Sequence, residues 1–161
     1  MNLFNEEELN QGSIFIMMCG APGSGKTTAA KTLSESSDMW TIVATDDIRE
    51  ELFNDRYNQE DNKQVYSTAY NRIVTGLKNG DNIVYDATNC NKHYRKKILK
   101  FAMPYANKII CYASASSLRE CLERNAKRDF VVPEEAIERM YISLRKYPPS
   151  LYEGFDMIVR F

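Results

Sequence analysis

The sequence predicts an α/β fold, a five-stranded parallel sheet sandwiched between helices, and three observations predict it. Short apolar runs alternate with segments of helical period from Ile14 to the end of the chain. The first run feeds a glycine-rich turn that opens a helix. Three polar sequences fall where strands end: that turn, Asp46-Asp47, and Asp86-Ala87-Thr88-Asn89. Open parallel sheets bind their ligands beyond the C-terminal ends of the strands.

The elements follow in order. Ile14 to Cys19 is continuously apolar and reads as a strand buried on both faces. Thr27 to Ser36 reads as a helix, and Trp40 to Ala44 as the second strand. Asp47 with Glu50 three residues on is a start signal for a short helix holding Leu52 and Phe53, with Asp47 as its N-cap. After a polar loop, Lys63 to Lys78 carries Val65, Ala69, Ile73, Val74 and Leu77 at helical spacing, and Gly80 closes it. Ile83 to Tyr85 is the third strand, ending at Asp86. Lys92 to Met103 is a basic helix stopped by Pro104, and Ile109 to Ala113 the fourth strand. Ser117 and Glu120 form a capping box for a helix running to about Arg128. Pro133 suits the first position of a helix reaching about Lys146, and Met157 to Val159 is the fifth strand.

A length of 161 residues without repeats or linkers predicts a single domain over 1–161. The stretch Met1 to Ser13 is acidic and polar, unlike a signal or transit peptide, and Ile14 to Cys19 is too short to span a bilayer. A soluble, cytoplasmic protein with no membrane partner is expected. Cys19, Cys90, Cys111 and Cys121 lack metal-site spacing, so free thiols are expected and zinc is not. The lone histidine, His93, reads as a surface residue. Net charge is only −1, which disfavours broad coating of nucleic acid. Yet Ala87 to Arg119 holds no Asp or Glu and seven Lys or Arg, which suits either a substrate with few phosphates or a solvated helix face.

Gly20-Ala21-Pro22-Gly23-Ser24-Gly25-Lys26-Thr27 matches G-x-x-x-x-G-K-[ST] between a strand and a helix, as a P-loop NTPase fold requires. Its backbone N–H groups, with Thr28 following at the helix start, would cradle the phosphates of ATP or another nucleoside triphosphate. Lys26 would reach the β- and γ-phosphates and Thr27 would ligate Mg²⁺. The chain has no N-K-x-D and no D-x-x-G motif, which argues against a GTPase, and it is small for a motor ATPase. What remains is a phosphotransferase. Asp46 is the better candidate for general base. Arg49 is a candidate clamp on an acceptor phosphate, or else an exposed partner of neighbouring acids. Arg124 and Arg128, four apart at a helix end before a loop, suit a lid that grips the transferring phosphate.

The ordered set G-x-P-G-S-G-K-T, D-D-I-R, D-A-T-N and R-N-A-K-R before V-P-E resembles the kinase domain of phage polynucleotide kinase. The closing Pro148-Pro149-Ser150-Leu151-Tyr152-Glu153-Gly154-Phe155-Asp156 is similar to a segment of animal polynucleotide kinase/phosphatases. The resemblance spans nearly the whole chain from Ile14. It implies strand order 2-3-1-4-5 and phosphorylation of a 5′-hydroxyl end of DNA or RNA. It implies that Asp46 is the base, that Arg49 contacts the acceptor, and that Arg128 with Arg124 meets the ATP phosphates. It also implies that Thr88 and Asn89 lie at the substrate and that Asp86 supports Mg²⁺. The chain has no D-x-D, so no phosphatase activity is expected, and Thr45 stands where the phage enzyme has an arginine. Two other readings compete: a kinase for a small-molecule hydroxyl, and a non-catalytic nucleotide-binding module of a repair complex.

Overall fold

A computed structural model describes Phe4 and residues 6–161. The expectation that Met1 to Ser13 is no targeting segment falls partly on residues 1–3 and 5, outside the described residues. The order is α1 (Glu6–Asn10), β1 (Ile14–Cys19), α2 (Lys26–Glu35), β2 (Trp40–Ala44), α3 (Thr45–Phe53) and α4 (Asn62–Asn79). Then come β3 (Asn82–Asp86), α5 (Lys92–Ala102), β4 (Lys108–Ala113), α6 (Leu118–Asn125), α7 (Glu134–Lys146), a 3₁₀ turn (Leu151–Glu153) and β5 (Met157–Arg160).

All five strands are parallel, in the order β2-β3-β1-β4-β5. Every residue of β1 is buried, because helices cover both faces of the sheet. Its side chains alternate between two cores. Phe15, Met17 and Cys19 join Ile48, Val65, Ile73, Ile98 and Leu99 from α3, α4 and α5. Ile14, Ile16 and Met18 join Ala30, Leu33 and Trp40 on the opposite face, where Phe4 and Leu9 also pack. Burying each large apolar side chain contributes roughly 1.5–3 kcal/mol, so this strand holds the rest of the sheet in register. Among the described residues no helix is long and apolar enough to cross a membrane.

Several local expectations need correction. Asp47 is not an N-cap: α3 begins at Thr45, directly after β2, with Ala44 preceding it and no side-chain cap. Asp46 and Asp47 lie in its first turn, where carboxylates favour the helix dipole. Helix α6 ends at Asn125, so Arg128 lies three residues beyond the helix that holds Arg124. The cause is Asn125, whose buried amide donates to the Val132 carbonyl (2.8 Å) and accepts from the Val132 N–H (3.0 Å). That clasp draws the chain off the helical path. Pro133 precedes α7 rather than beginning it. The basic helix α5 is not uniformly solvated either, because Arg95 is fully buried. The four cysteines are free and buried.

Candidate active site

The glycine-rich loop runs from the end of β1 to the start of α2. Gly23 has φ +79°, and a Cβ there would lie 2.2 Å from the Cys121 carbonyl oxygen, so α6 can approach the loop only because residue 23 is glycine. Gly25, at φ +89°, sets the direction of α2, whose first N–H groups have no helical acceptors and point at the cradle. Ser114 Oγ and Ser116 Oγ donate to the Ser24 carbonyl at 2.9 and 3.3 Å, tying the loop to the end of β4.

Lys26 is buried and folded back: its Nζ donates to the Ala21 carbonyl (3.0 Å) and to Ser24 Oγ (3.4 Å). Burial pulls its pKa down, opposed by the nearby Asp86 charge. Such an ammonium gains most from a phosphate arriving at the cradle. Thr27 Oγ1 donates to Asp86 Oδ2 at 2.8 Å. Burial raises the Asp86 pKa, against the Thr27 hydrogen bond and the Lys26 charge. A hydroxyl and a carboxylate side by side form a hard-oxygen donor pair of the kind Mg²⁺ takes when it is held mainly by nucleotide phosphates and water. The residues present therefore fit that ion. No group of three or more His, Cys, Asp or Glu among the described residues could hold a metal without a nucleotide.

The loop after β3 is fastened from below. Asn89, in the left-handed region at φ +48°, donates its amide to the Met18 carbonyl at 2.7 Å. This places Asn89 as a brace between the ends of β3 and β1, with its side chain buried. The Thr88 carbonyl accepts from the Gly20 N–H at 2.9 Å. Beneath them Arg95 meets Glu153 through two bonds of 2.9 Å and donates to the carbonyls of Asn89, Cys90 and Tyr147. All five guanidinium donors are used. Glu153 belongs to the closing segment whose similarity to kinase/phosphatases was noted from sequence. It supports the site without reaching it.

At the end of β2, Asp46 and Asp47 face different ways. Asp46 Oδ1 accepts from Arg49 Nη1 at 2.9 Å, while Asp47 is exposed and pairs loosely with Arg56 at 3.3 Å. Arg49 is buried, so it is not an exposed partner of Glu50 or Glu51. Its Nη2 donates to Asn62 Oδ1 (2.8 Å), and its Nε is buried without a partner. With two of its five guanidinium donors paired, a cation held this way is poised toward an anion.

On the far side, Arg124 Nη1 donates to Ser116 Oγ (2.9 Å) and reaches the Gly23 carbonyl at 3.5 Å, so it lies against the glycine loop. Arg128 is exposed in the turn after α6. The same loop carries Phe130, whose ring stacks on Tyr57 with centroids 4.1 Å apart. Tyr57 comes from the loop after α3, so this contact arches from the β4 side to the β2 side. Sequence reasoning missed it, along with the Asn125 clasp, the Arg95–Glu153 pair and Asn62. Nothing in the spacing of Tyr57 and Phe130 couples two loops so far apart in the chain.

Comparison with known proteins agrees with this geometry. The family model AAA_33, an AAA domain, matches residues 15–146. A chain of the Pnkp1/Rnl/Hen1 RNA repair complex superposes with a TM-score of 0.76 at 25% identity, covering 90% of this chain and 47% of that one. The present chain thus spans less than half the length of that relative. A gluconokinase from Sinorhizobium meliloti 1021 (TM-score 0.58, 16% identity, 94% and 82% covered) shares the fold. So does a fungal RNA kinase (TM-score 0.57, 16% identity, 94% and 75% covered). With its glycine loop, parallel sheet and matched span, the chain belongs to the AAA_33 family and has the fold of the P-loop kinases.

Proposed function

We propose that the chain is a polynucleotide 5′-hydroxyl kinase that uses ATP and acts as one kinase domain. The observation that carries this reading is the Asp46–Arg49 pair, a carboxylate held by a buried arginine on the strand edge that also presents Lys26, Thr27 and Asp86. The likeness to an RNA repair complex chain and to an RNA kinase supports a nucleic-acid acceptor. The absence of carboxylates from Ala87 to Arg119 supports it too.

Asp46 takes the proton of the acceptor hydroxyl as that oxygen bonds to the γ-phosphorus. The bond from γ-phosphorus to its bridging oxygen breaks, and ADP leaves from the cradle of Gly20 to Thr28. Lys26 leaves its loop carbonyl for the β- and γ-phosphates. Thr27 and Asp86 would hold Mg²⁺, which neutralises phosphate charge when bound. Arg124 and Arg128 meet the equatorial oxygens, where negative charge spreads in the transition state. Arg49, through its unpaired Nη hydrogens, holds the acceptor's own phosphate, with Thr88 and Asn89 shaping the wall at the end of β3.

The test is labelled ATP offered with 5′-hydroxyl oligonucleotides and with simple alcohols. Oligonucleotides should be the efficient acceptors, and equal use of a phosphate-free alcohol would replace this reading with a small-molecule kinase. Asp46→Asn should lower kcat by about 10²-fold or more with ATP still bound. Asp47→Asn should be mild, since that carboxylate faces solvent; equal losses would show the roles to be wrongly divided. Arg49→Ala should raise the acceptor KM and leave ATP affinity nearly unchanged.

A further inference from the structure

We propose that the seam between α4 and α5 is the track on which bases of the acceptor strand stack as it leaves the active site. This rests on the 5′-kinase reading above and names how that substrate is held.

Four rings form a series along the seam. Tyr94 and Tyr66 lie 6.4 Å apart with planes 12° apart, Tyr66 and Tyr70 6.3 Å and 28°, and Tyr70 and Phe101 5.4 Å and 25°. Tyr66 and Tyr70 are one turn apart on α4, and Tyr94 and Phe101 two turns apart on α5, so each helix presents its rings on one face. The two rings of α5 are open to solvent, Tyr94 54% and Phe101 42% exposed, while Tyr66 and Tyr70 are half-buried beneath them, Tyr70 against the core. Lys97 Nζ lies 5.8 Å from the centre of the Tyr70 ring, and Lys100 is exposed one turn further along α5. Neither α4 nor α5 contains a single Asp or Glu.

Aromatic rings flanked by cations, with no carboxylate on either helix, suit a polyanion that carries flat bases. Every base has a π-face to stack, and lysines meet the phosphates between bases. The seam is also continuous with the site. At its upper end it opens into a recess lined by Tyr66, Tyr94, Tyr85, Ala87, Thr88 and Asn91, beside the segment that begins at Asp86. The Tyr85 hydroxyl there is fully buried and has no hydrogen-bond partner. An unpaired buried hydroxyl costs stability unless a ligand supplies its partner, and the edge of a base can do so.

Kinetics on three 5′-hydroxyl acceptors test the proposal: a nucleoside 3′-monophosphate, a single-stranded 8-mer, and the 8-mer in a blunt duplex. The wild type should show a KM for the single-stranded 8-mer at least tenfold below that for the mononucleotide, and the duplex should lose this advantage. Tyr94→Ala with Phe101→Ala should raise the 8-mer KM about tenfold or more, as loss of stacking platforms does, and bring its ratio to the mononucleotide KM near one. Tyr94→Phe should keep the wild-type ratio. Neither ring belongs to the core, so at most a small fall in melting temperature should accompany these effects. A wild-type ratio near one, or a ratio unmoved by the double substitution, overturns the track while leaving the kinase reading intact. A double variant with altered self-association and unaltered KM makes the seam a protein interface and also overturns it. Labelling of simple alcohols with neither nucleotide acceptor used fails the kinase reading itself.

Discussion

The floor and the roof of the site are built on opposite terms. Beneath the glycine loop, buried polar groups are already paired: Asp86 with the Thr27 hydroxyl at the site's surface, Asn89 with the Met18 carbonyl, Arg95 with Glu153. Over it, charges are exposed and loosely held. Arg124 meets Glu120 at 3.5 Å with both side chains about half exposed, and Arg128 lies open to solvent. An exposed pair of that kind contributes about 0–1 kcal/mol, whereas breaking a buried one costs about 3–5 kcal/mol. The floor therefore holds its geometry before any ligand arrives, and the roof acquires its geometry from the phosphates it meets. Removing a roof cation should cost rate and spare the fold; removing a floor charge should cost the fold first.

The largest expected effect is at the roof. Arg128→Ala should lower kcat by about 10³-fold or more while ATP affinity falls much less, the scale seen when an arginine no longer stabilises a transferring phosphoryl group. Arg128→Lys should rescue poorly, because an ammonium cannot fork onto two oxygens. Thermal melting of both variants should match the wild type. Full activity of Arg128→Ala would reduce the segment to a charged turn and erase the contrast.

The floor should show the reverse. Glu153→Gln leaves the Arg95 guanidinium buried without its counter-charge, at a cost of roughly 3 kcal/mol. For a chain of this length that lowers Tm by roughly 6–12 °C. Glu153→Leu with Arg95→Met should not restore stability, because the Tyr147 carbonyl loses its donor and the carbonyls of Asn89 and Cys90 keep only the Cys19 thiol and the Ser143 hydroxyl. A stable double variant that is fully active would show the pair to be dispensable to the loop above it.

Much of the floor's outline was legible because it is local. The burial of β1 follows from six consecutive apolar residues, and the glycine loop from its own eight. The capping box at Ser117 and Glu120 formed as its spacing predicts. What escaped depends on residues far apart in sequence. Arg95 looked like one more cation of a basic helix, since nothing near it in sequence points to Glu153 across 58 positions. The end of α6 was misplaced because Asn125 is an ordinary helix residue until Val132 folds back on it. The start of α3 was misplaced because a good capping pattern at Asp47 lost to direct passage from β2 into the helix. Asp46 and Arg49 fell together because they are three apart on one helix, whereas the Tyr66–Tyr94 seam needs two helices to meet.

The smallest effect belongs to a floor residue with no charge at neutral pH. Cys90 is buried under the glycine loop, and its thiol donates weakly to the Thr88 carbonyl at 3.4 Å. Burial pushes its pKa up to about 12, against the nearby Lys26 and Arg95 charges. An unfolded thiol titrates near 8.5, so between those values the native chain keeps a proton that the unfolded chain gives up. Stability from this group is complete below about pH 8.5 and declines as pH rises. By pH 9.5 the loss should be about 1.4 kcal/mol. Lys26 works in the other direction, since burial lowers its pKa and higher pH relieves the cost of its charge. Only the difference between wild type and Cys90→Ala isolates the thiol. Urea unfolding at pH 7.5 and 9.5 should show a smaller alkaline loss in the variant, after subtraction of its pH-independent cavity cost. Iodoacetamide should leave native Cys90 unmodified at pH 8, because almost no thiolate is present and the residue is buried. Rapid labelling without unfolding, or identical alkaline losses in the two proteins, would show the floor to be open to water where the structure closes it.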